Sequence, residues 1–340
     1  MKSDGFSPIV VGESGLYFGQ TVLKLFPHDT GSVSDVDSFL LLEYESPEKT
    51  HRILNLNDCD VSLNGGVLDA LVKLDLDIVC AAYTDASSYP QAYYDEADEF
   101  LPMESRRRSM NKLQGFKTIA HLLKSQIYIP FAGQYLLGGY LAELNAHRGV
   151  IDAVEAAAEV ENALVLEAGG AINTNNFTPT CQRKLSYPEH DVAERVLHIK
   201  SLSLPHESFI IPEQLNYIPI ARLLRRAFLS AHQKSEIFFD YFYIIRYGKN
   251  EAFSFNCNKD KEEFEFSDCG NMEHPRTELI IPKALLIGLL IGRFHWNNMF
   301  IGSHIQIRRQ PNFVKEHKTC PFSPNQNRSI QDFMNYFTVF

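Results

Sequence analysis

Three polar stretches in this chain each follow an apolar run, and they hold the side chains best suited to chemistry. Asn57-Asp58-Cys59-Asp60 follows the run beginning at Ile53. Thr84-Asp85-Ala86-Ser87-Ser88-Tyr89-Pro90 follows Asp77–Tyr83, and Phe131-Ala132-Gly133-Gln134-Tyr135 follows Ile127–Pro130. If the three runs are parallel strands, the stretches gather at their carboxyl ends, where α/β sheets bind ligands. Asp58 is the leading candidate, because a carboxylate at a strand end suits a hard or borderline cation. The plainer alternative is that Asp58 caps the helix starting near Gly65 or bonds its own loop amides. Ser87 and Ser88 offer hydroxyls either to a ligand or to turn amides. Gly133 permits close backbone approach.

The elements that would position these residues follow from periodicity. Residues 8–25 alternate around glycines and read as two short strands, and 38–57 reads as a hairpin turning at Ser46-Pro47. Val67, Leu68, Leu71, Val72 and Leu74 are spaced as on a helix. The nearly continuous apolar run 77–83 is that of a strand covered on both faces. Residues 105–124 carry Leu113, Phe116, Ile119, Ala120 and Leu123 in one helical stripe. Strand, helix, strand, helix, strand implies parallel pairing through crossovers. Beyond 150 the rhythm changes. Helices are expected at 151–162, 188–204 and 217–233, a strand at 164–166 and strands within 238–266. A buried helix entered through Pro282 precedes a polar tail, so the second half reads as poor in strands. Two domains follow, 1–150 and 151–340.

Composition narrows the function classes. Of 340 residues, 45% are hydrophobic and 22% charged, as in ordinary globular proteins. The net charge is -10, so a nucleic-acid partner is not expected. The basic clusters Arg106–Arg108, Arg222 with Arg225-Arg226, and Arg308-Arg309 read first as solvated faces and second as clamps for a small anionic group. Six cysteines form no Cys-x-x-Cys pair, which points to free thiols in a reducing compartment and to a cytoplasmic location. No secretory leader is read at Met1–Gly5, and the greasiest stretch, 279–292, is too short to cross a bilayer. His274, His295 and His304 form no recognisable metal motif; the first reads as the start of the last helix.

Taken in order, several of these segments resemble the metallo-β-lactamase superfamily, in the branch containing CMP-N-acetylneuraminate monooxygenase and ascorbate-phosphate-lactonase-like proteins. The segments are Asp37-Ser38 with Phe39-Leu40-Leu41, Ile53–Cys59, Ala86–Pro90, Ile127–Gly133, Glu273-His274-Pro275, Trp296, and Ile301-Gly302 with Arg308 and Pro311. The resemblance implies a metallo-β-lactamase-like αββα sandwich, here partial and lacking the N-terminal metal-binding half, with an appended C-terminal α+β region. Asp58 would then match the family's metal-bridging aspartate, Ser87, Ser88 and Tyr89 would line the substrate side, and Arg308 or Arg309 would bind an anionic group.

The departures are as informative. The His-x-His-x-Asp-His loop is not found, Phe131-Ala132-Gly133 stands where the later metal-binding His would fall, and the monooxygenase's Rieske motifs are absent. One carboxylate does not make a tight zinc site. The implied function is therefore a subunit or fragment of a metal-dependent hydrolase or oxygenase. It would use zinc, iron or manganese on a small anionic substrate such as a phosphorylated or nucleotide sugar. The alternative is a non-catalytic binding or regulatory subunit that has lost the metal. A half sandwich would also expose an apolar sheet face, so a homo-oligomer or a partner chain is expected unless residues 1–57 and the strands of 238–266 rebuild the missing sheet. Sedimentation at micromolar concentration is expected to show a species larger than one chain; a monodisperse, stable monomer would count against an obligate partner.

Overall fold

The computed structural model describes residues 11, 15–27, 37–59, 65–84, 87–94, 97–131, 133, 135–202, 209–267, 274–301, 304–310 and 322–340. Asp60, Asp85, Ala86, Glu273, Gly302, Pro311, Cys269 and Cys320 lie outside these residues. The chain forms two compact units interleaved along the sequence. The first comprises 1–86, 106–135 and 149–189, and the second 87–105, 136–148 and 190–340. The architecture is α/β with mixed sheets. Among the described residues no helix is long and apolar enough to cross a membrane.

The first unit is built on a six-stranded sheet in sequence order: β1 (Leu16–Phe18), β2 (Thr21–Pro27), β3 (Ser38–Glu45), β4 (Thr50–Asn55), β5 (Leu76–Ala82) and β6 (Ser125–Phe131). Strands β1 to β4 form the expected antiparallel hairpins, and β4, β5 and β6 run parallel. The connections are α1 (Gly65–Val72) and α2 (Phe100–Leu122), as the change from period 2 to period 3.6 predicts. Their apolar stripes and α3 (Ala153–Ala158) bury one face of the sheet. Leu71, Leu113, Phe116, Ile119, Leu123 and Ala156 pack there with Phe39, Leu41, Leu54 and Val79. On the other face Ile78 and Ile127 pack with Leu164, while Leu166, Ile172 and Phe177 close over them. Leu166 and Ile172 belong to two small antiparallel pairs, β7 (Val165–Leu166) with β10 (Gln182–Arg183) and β8 (Ile172–Asn173) with β9 (Thr178–Pro179), and Phe177 to the turn between β8 and β9; the sequence reads as loop over 171–187.

The second unit departs further from the sequence reading. It holds a five-stranded sheet in the order β13-β12-β11-β14-β15, built from β11 (Phe242–Arg246), β12 (Ala252–Asn256), β13 (Phe264–Glu265), β14 (Arg276–Ile280) and β15 (Gln306–Gln310). The strands of 238–266 therefore pair within this sheet and not with those of 1–57. Residues 276–280, expected to open a helix, alternate between buried and half-buried and form a strand parallel to β11. Helix α4 (Glu189–Ser201) has no described residue that is fully buried, whereas α5 (Ile220–Lys234) buries Leu224, Ala227, Phe228 and Ala231. The apolar helix α6 (Lys283–Leu290) starts after Pro282, as expected, and a short α7 (Trp296–Ile301) follows.

The tail, which reads as polar, is also helical. In α8 (Pro324–Asn335) Ser323 and Gln326 form a reciprocal capping box. The helix turns Ile330, Phe333 and Met334, with Phe337 after it, into a core of Phe253 and Phe255. The Phe255 and Phe337 rings stack at 4.9 Å, and the buried Trp296 indole N–H donates to the Phe337 carbonyl at 2.9 Å.

The loop joining β12 to β13 is closed by a charge-assisted clasp. Asp240 accepts hydrogen bonds from Lys261 Nζ at 2.7 Å, Asn256 Nδ2 at 2.9 Å and Asn258 Nδ2 at 3.1 Å. These donors, led by Lys261, hold the Asp240 carboxyl well below the usual carboxylate range. A lowered folded-state pKa gives stability that is present above the unfolded value, about 4, and lost as pH falls through the folded one. Asp240→Asn is expected to lower the unfolding free energy at pH 7 by about 1–2 kcal/mol, with the gap to the unsubstituted chain narrowing as pH falls below about 4. Urea denaturation at neutral and acid pH measures both.

Candidate functional site

The parallel strands deliver a tightly turned loop after β4. Asn55 Oδ1 accepts the Asn57 N–H at 2.9 Å, and the Leu56 carbonyl accepts the Cys59 N–H at 2.9 Å. Asn57 sits at φ +50°, a left-handed conformation that asparagine tolerates better than most residues. Leu56 and Cys59, each 1% exposed, anchor the loop in the core, and the Leu56 N–H continues the sheet by donating to the Cys80 carbonyl at 3.0 Å. Asp58 lies between the two anchors and is exposed. Among the described residues its carboxylate has no hydrogen-bond or ion-pair partner. Nor is it the N-cap of α1: a capping side chain directly precedes its helix, and residues 59–64 intervene before Gly65.

The next two strands end beside this loop. In register, Asn55 pairs with Cys80 and Ala82 with Phe131, so β5 and β6 end side by side, with Thr84 and Gly133 two residues past their last pair. Gly133 is exposed, and among the described residues a Cβ placed on it would meet only Tyr83 Oη, at 3.7 Å. That is the open backbone its residue type suggested.

The other predicted residues belong to the second unit. Ser87 Oγ accepts the Tyr89 N–H at 3.2 Å, which is the turn-forming alternative, and Ser88 is buried with its carbonyl bonded to the Ala92 N–H at 2.8 Å. Tyr89 Oη donates to Glu104 Oε1 at 2.5 Å and lies 3.3 Å from Tyr94 Oη. Burial, reinforced by the Glu104 carboxylate, raises the Tyr89 phenol far above its ordinary value. Arg309 places its guanidinium over the Tyr93 ring at 5.9 Å. Arg308 stands opposite Glu278 in the β14–β15 register. The Ile307 N–H donates to the Ala92 carbonyl at 2.8 Å and Gln306 Nε2 to the Tyr94 carbonyl at 3.3 Å, so the segment carrying Ser87–Tyr89 runs along β15.

The structure thus groups the Ser87–Tyr89 segment with Arg309, and leaves Asp58 and Gly133 in the first unit, after β4 and β6, with β5 between those two strands. Glu104, fully buried in the first turns of α2, was not singled out by sequence, because one acid ahead of an arginine run resembles any solvated helix start. Thr84 reads in sequence as one of several turn residues, and its burial is set by the packing.

Among the described residues no three His, Cys, Asp or Glu side chains are grouped to hold an ion. His274 stacks on Phe242 at 5.5 Å, and burial lowers the His304 pKa. Cys59, Cys80, Cys181 and Cys257 form no disulfide with one another, and burial pushes Cys80 up to about 11. No described protein family, curated protein or solved structure matches the chain. The Tyr89–Glu104 bond makes a direct prediction. Tyr89→Phe leaves a fully buried carboxyl without its short donor and is expected to destabilise the second unit by about 1–3 kcal/mol in chemical denaturation, whereas Ser87→Ala at the half-buried turn is expected to change little.

Proposed function

We propose that this chain is one subunit, or one half, of a cytoplasmic metal-dependent hydrolase or oxygenase of the metallo-β-lactamase type. Asp58 would supply one ligand to a zinc, iron or manganese ion. One observation carries the reading: a loop anchored at both sides by buried residues presents a carboxylate, without a partner among the described residues, at the carboxyl edge of three parallel strands. That is where such sheets bind ligands, and a carboxylate oxygen suits all three ions.

As a donor set Asp58 is incomplete. A catalytic zinc takes about three protein ligands, so the remaining donors, histidines in this reading, come from outside the described residues, from a second chain or a further segment. The chain's own part is to fix the carboxylate and shape the rim, and no step of a reaction follows from one ligand. A partner is also consistent with the start of the sheet, where Phe18, Leu25 and Tyr44 are 57%, 47% and 44% exposed. The substrate class in this reading is a small anion of the phosphorylated or nucleotide-sugar kind.

The decisive measurement is metal content of the protein isolated from cells together with whatever co-purifies. Near-stoichiometric zinc, iron or manganese is expected, lost in Asp58→Ala without a change in thermal unfolding. A metal-free assembly would overturn the proposal in favour of a binding or regulatory subunit.

A further inference from the structure

The second face of the first sheet changes character along its length. Over β5 and β6 the small pairs β7 with β10 and β8 with β9 close on Ile78 and Ile127. Ile53 of β4 packs with them, and the register carries the same face onward to Leu42 of β3 and Leu23 of β2. Paired and alternate residues of antiparallel strands share a face. Phe18, Leu25, Leu40 and Tyr44 therefore stand on this face too. Phe18, Leu25 and Tyr44 are exposed, and Leu23, Leu40 and Leu42 are half-buried. The charged residues of β1, β2 and β3, which are Lys24, Glu43 and Glu45, alternate onto the opposite face. There Glu43 pairs with Lys24 and Arg52. A sheet face turned to water is ordinarily polar. Here the charges sit on the face that the helices cover, and the uncovered face is apolar.

We infer that a second copy of this chain covers the β1–β3 face, the two sheets stacking about a two-fold axis. In a two-fold contact one patch must complement itself. An uncharged apolar face does so, whereas a chain of net charge -10 repels its copy elsewhere. The face carries no row of charge that would select a partner of opposite sign. Its size sets the strength of pairing. With strands about 4.8 Å apart and about 3.3 Å per residue, β1 to β3 present a flat footprint of about 300 Å² per copy. The protruding Phe18, Leu25 and Tyr44 add to it, and the contact falls in the small class, below about 1,200 Å² in total, that associates reversibly. The pairing needs no metal at Asp58.

Sedimentation equilibrium of the full chain from about 1 to about 100 µM reads the association. A monomer–dimer equilibrium is expected, with a Kd of roughly micromolar order. Leu25→Glu and Phe18→Glu each bury a carboxylate in the contact and are expected to weaken it at least about tenfold, with circular dichroism and thermal unfolding unchanged. Phe18 lies on an edge strand, so Phe18→Glu carries the test if Leu25→Glu does not fold. Tyr17 is 65% exposed and projects from β1 to the opposite face, so Tyr17→Glu is expected to leave the dimer intact. A monomer throughout the range overturns the inference. So does a dimer indifferent to the substitutions at Leu25 and Phe18, or one lost equally in Tyr17→Glu. A different chain bound in equal amount at this face in the protein isolated from cells also overturns it. Metal content decides the Asp58 reading separately.

Discussion

Parallel pairing of β4, β5 and β6 is the constraint on which the candidate site depends. Parallel neighbours cannot be joined by a tight turn, so the chain must cross over between them, here through α1 and α2. Two results follow. The crossover helices bury one face of the sheet with Leu71, Leu113, Phe116 and Ile119, so the strands are fixed by an extensive core. All three strands also end at the same edge, so residues distant in sequence become neighbours there. Asp58, Thr84 and Gly133 follow β4, β5 and β6 in turn, an order set by that topology and by two register pairs.

The second unit uses its sheet differently. Strands β11 and β12 are buried almost throughout, and rings from Phe253, Phe255, Phe333 and Phe337 fill the space between them and the C-terminal helix. Its edge strand β15 is met by the segment carrying Tyr89, Tyr93 and Tyr94, through the Ile307–Ala92 bond. An edge strand offers unpaired amides and carbonyls, and covering it is one way in which proteins manage that exposure. The Tyr89–Glu104 bond holds the covering segment to the start of α2. Residues that read as substrate contacts are thereby engaged in fastening the edge.

Legibility of the site varied with how local its causes are. Asp58 is legible as a polar residue after an apolar strand; that it is exposed and without a partner among the described residues is seen only in the fold. Ser87 reads either as a ligand contact or as a turn residue, and its Oγ accepts the Tyr89 N–H as a turn residue does. Thr84 is not distinguishable by type from the serines beside it; that its buried hydroxyl has no partner among the described residues is visible only in the packing. Glu104 is charged and lies in a helix, and no pattern separates it from a solvated acid until Tyr89 is seen against it.

By itself the sequence determined the order of elements through most of the first unit, the parallel trio and its crossovers, because apolar periodicity and turn residues act over a few positions. The same holds for the helix after Pro282. Tertiary structure alone decided that 276–280 and 306–310 are strands, that the polar-looking tail is a core helix, and that the two units interleave. Those segments are short or mixed in pattern, and their conformation is set by partners far along the chain: β14 takes its place from β11, and α8 from Phe253 and Phe255. A local pattern carries no record of the partner that will complete it, and burial against that partner is what decides between strand, helix and loop.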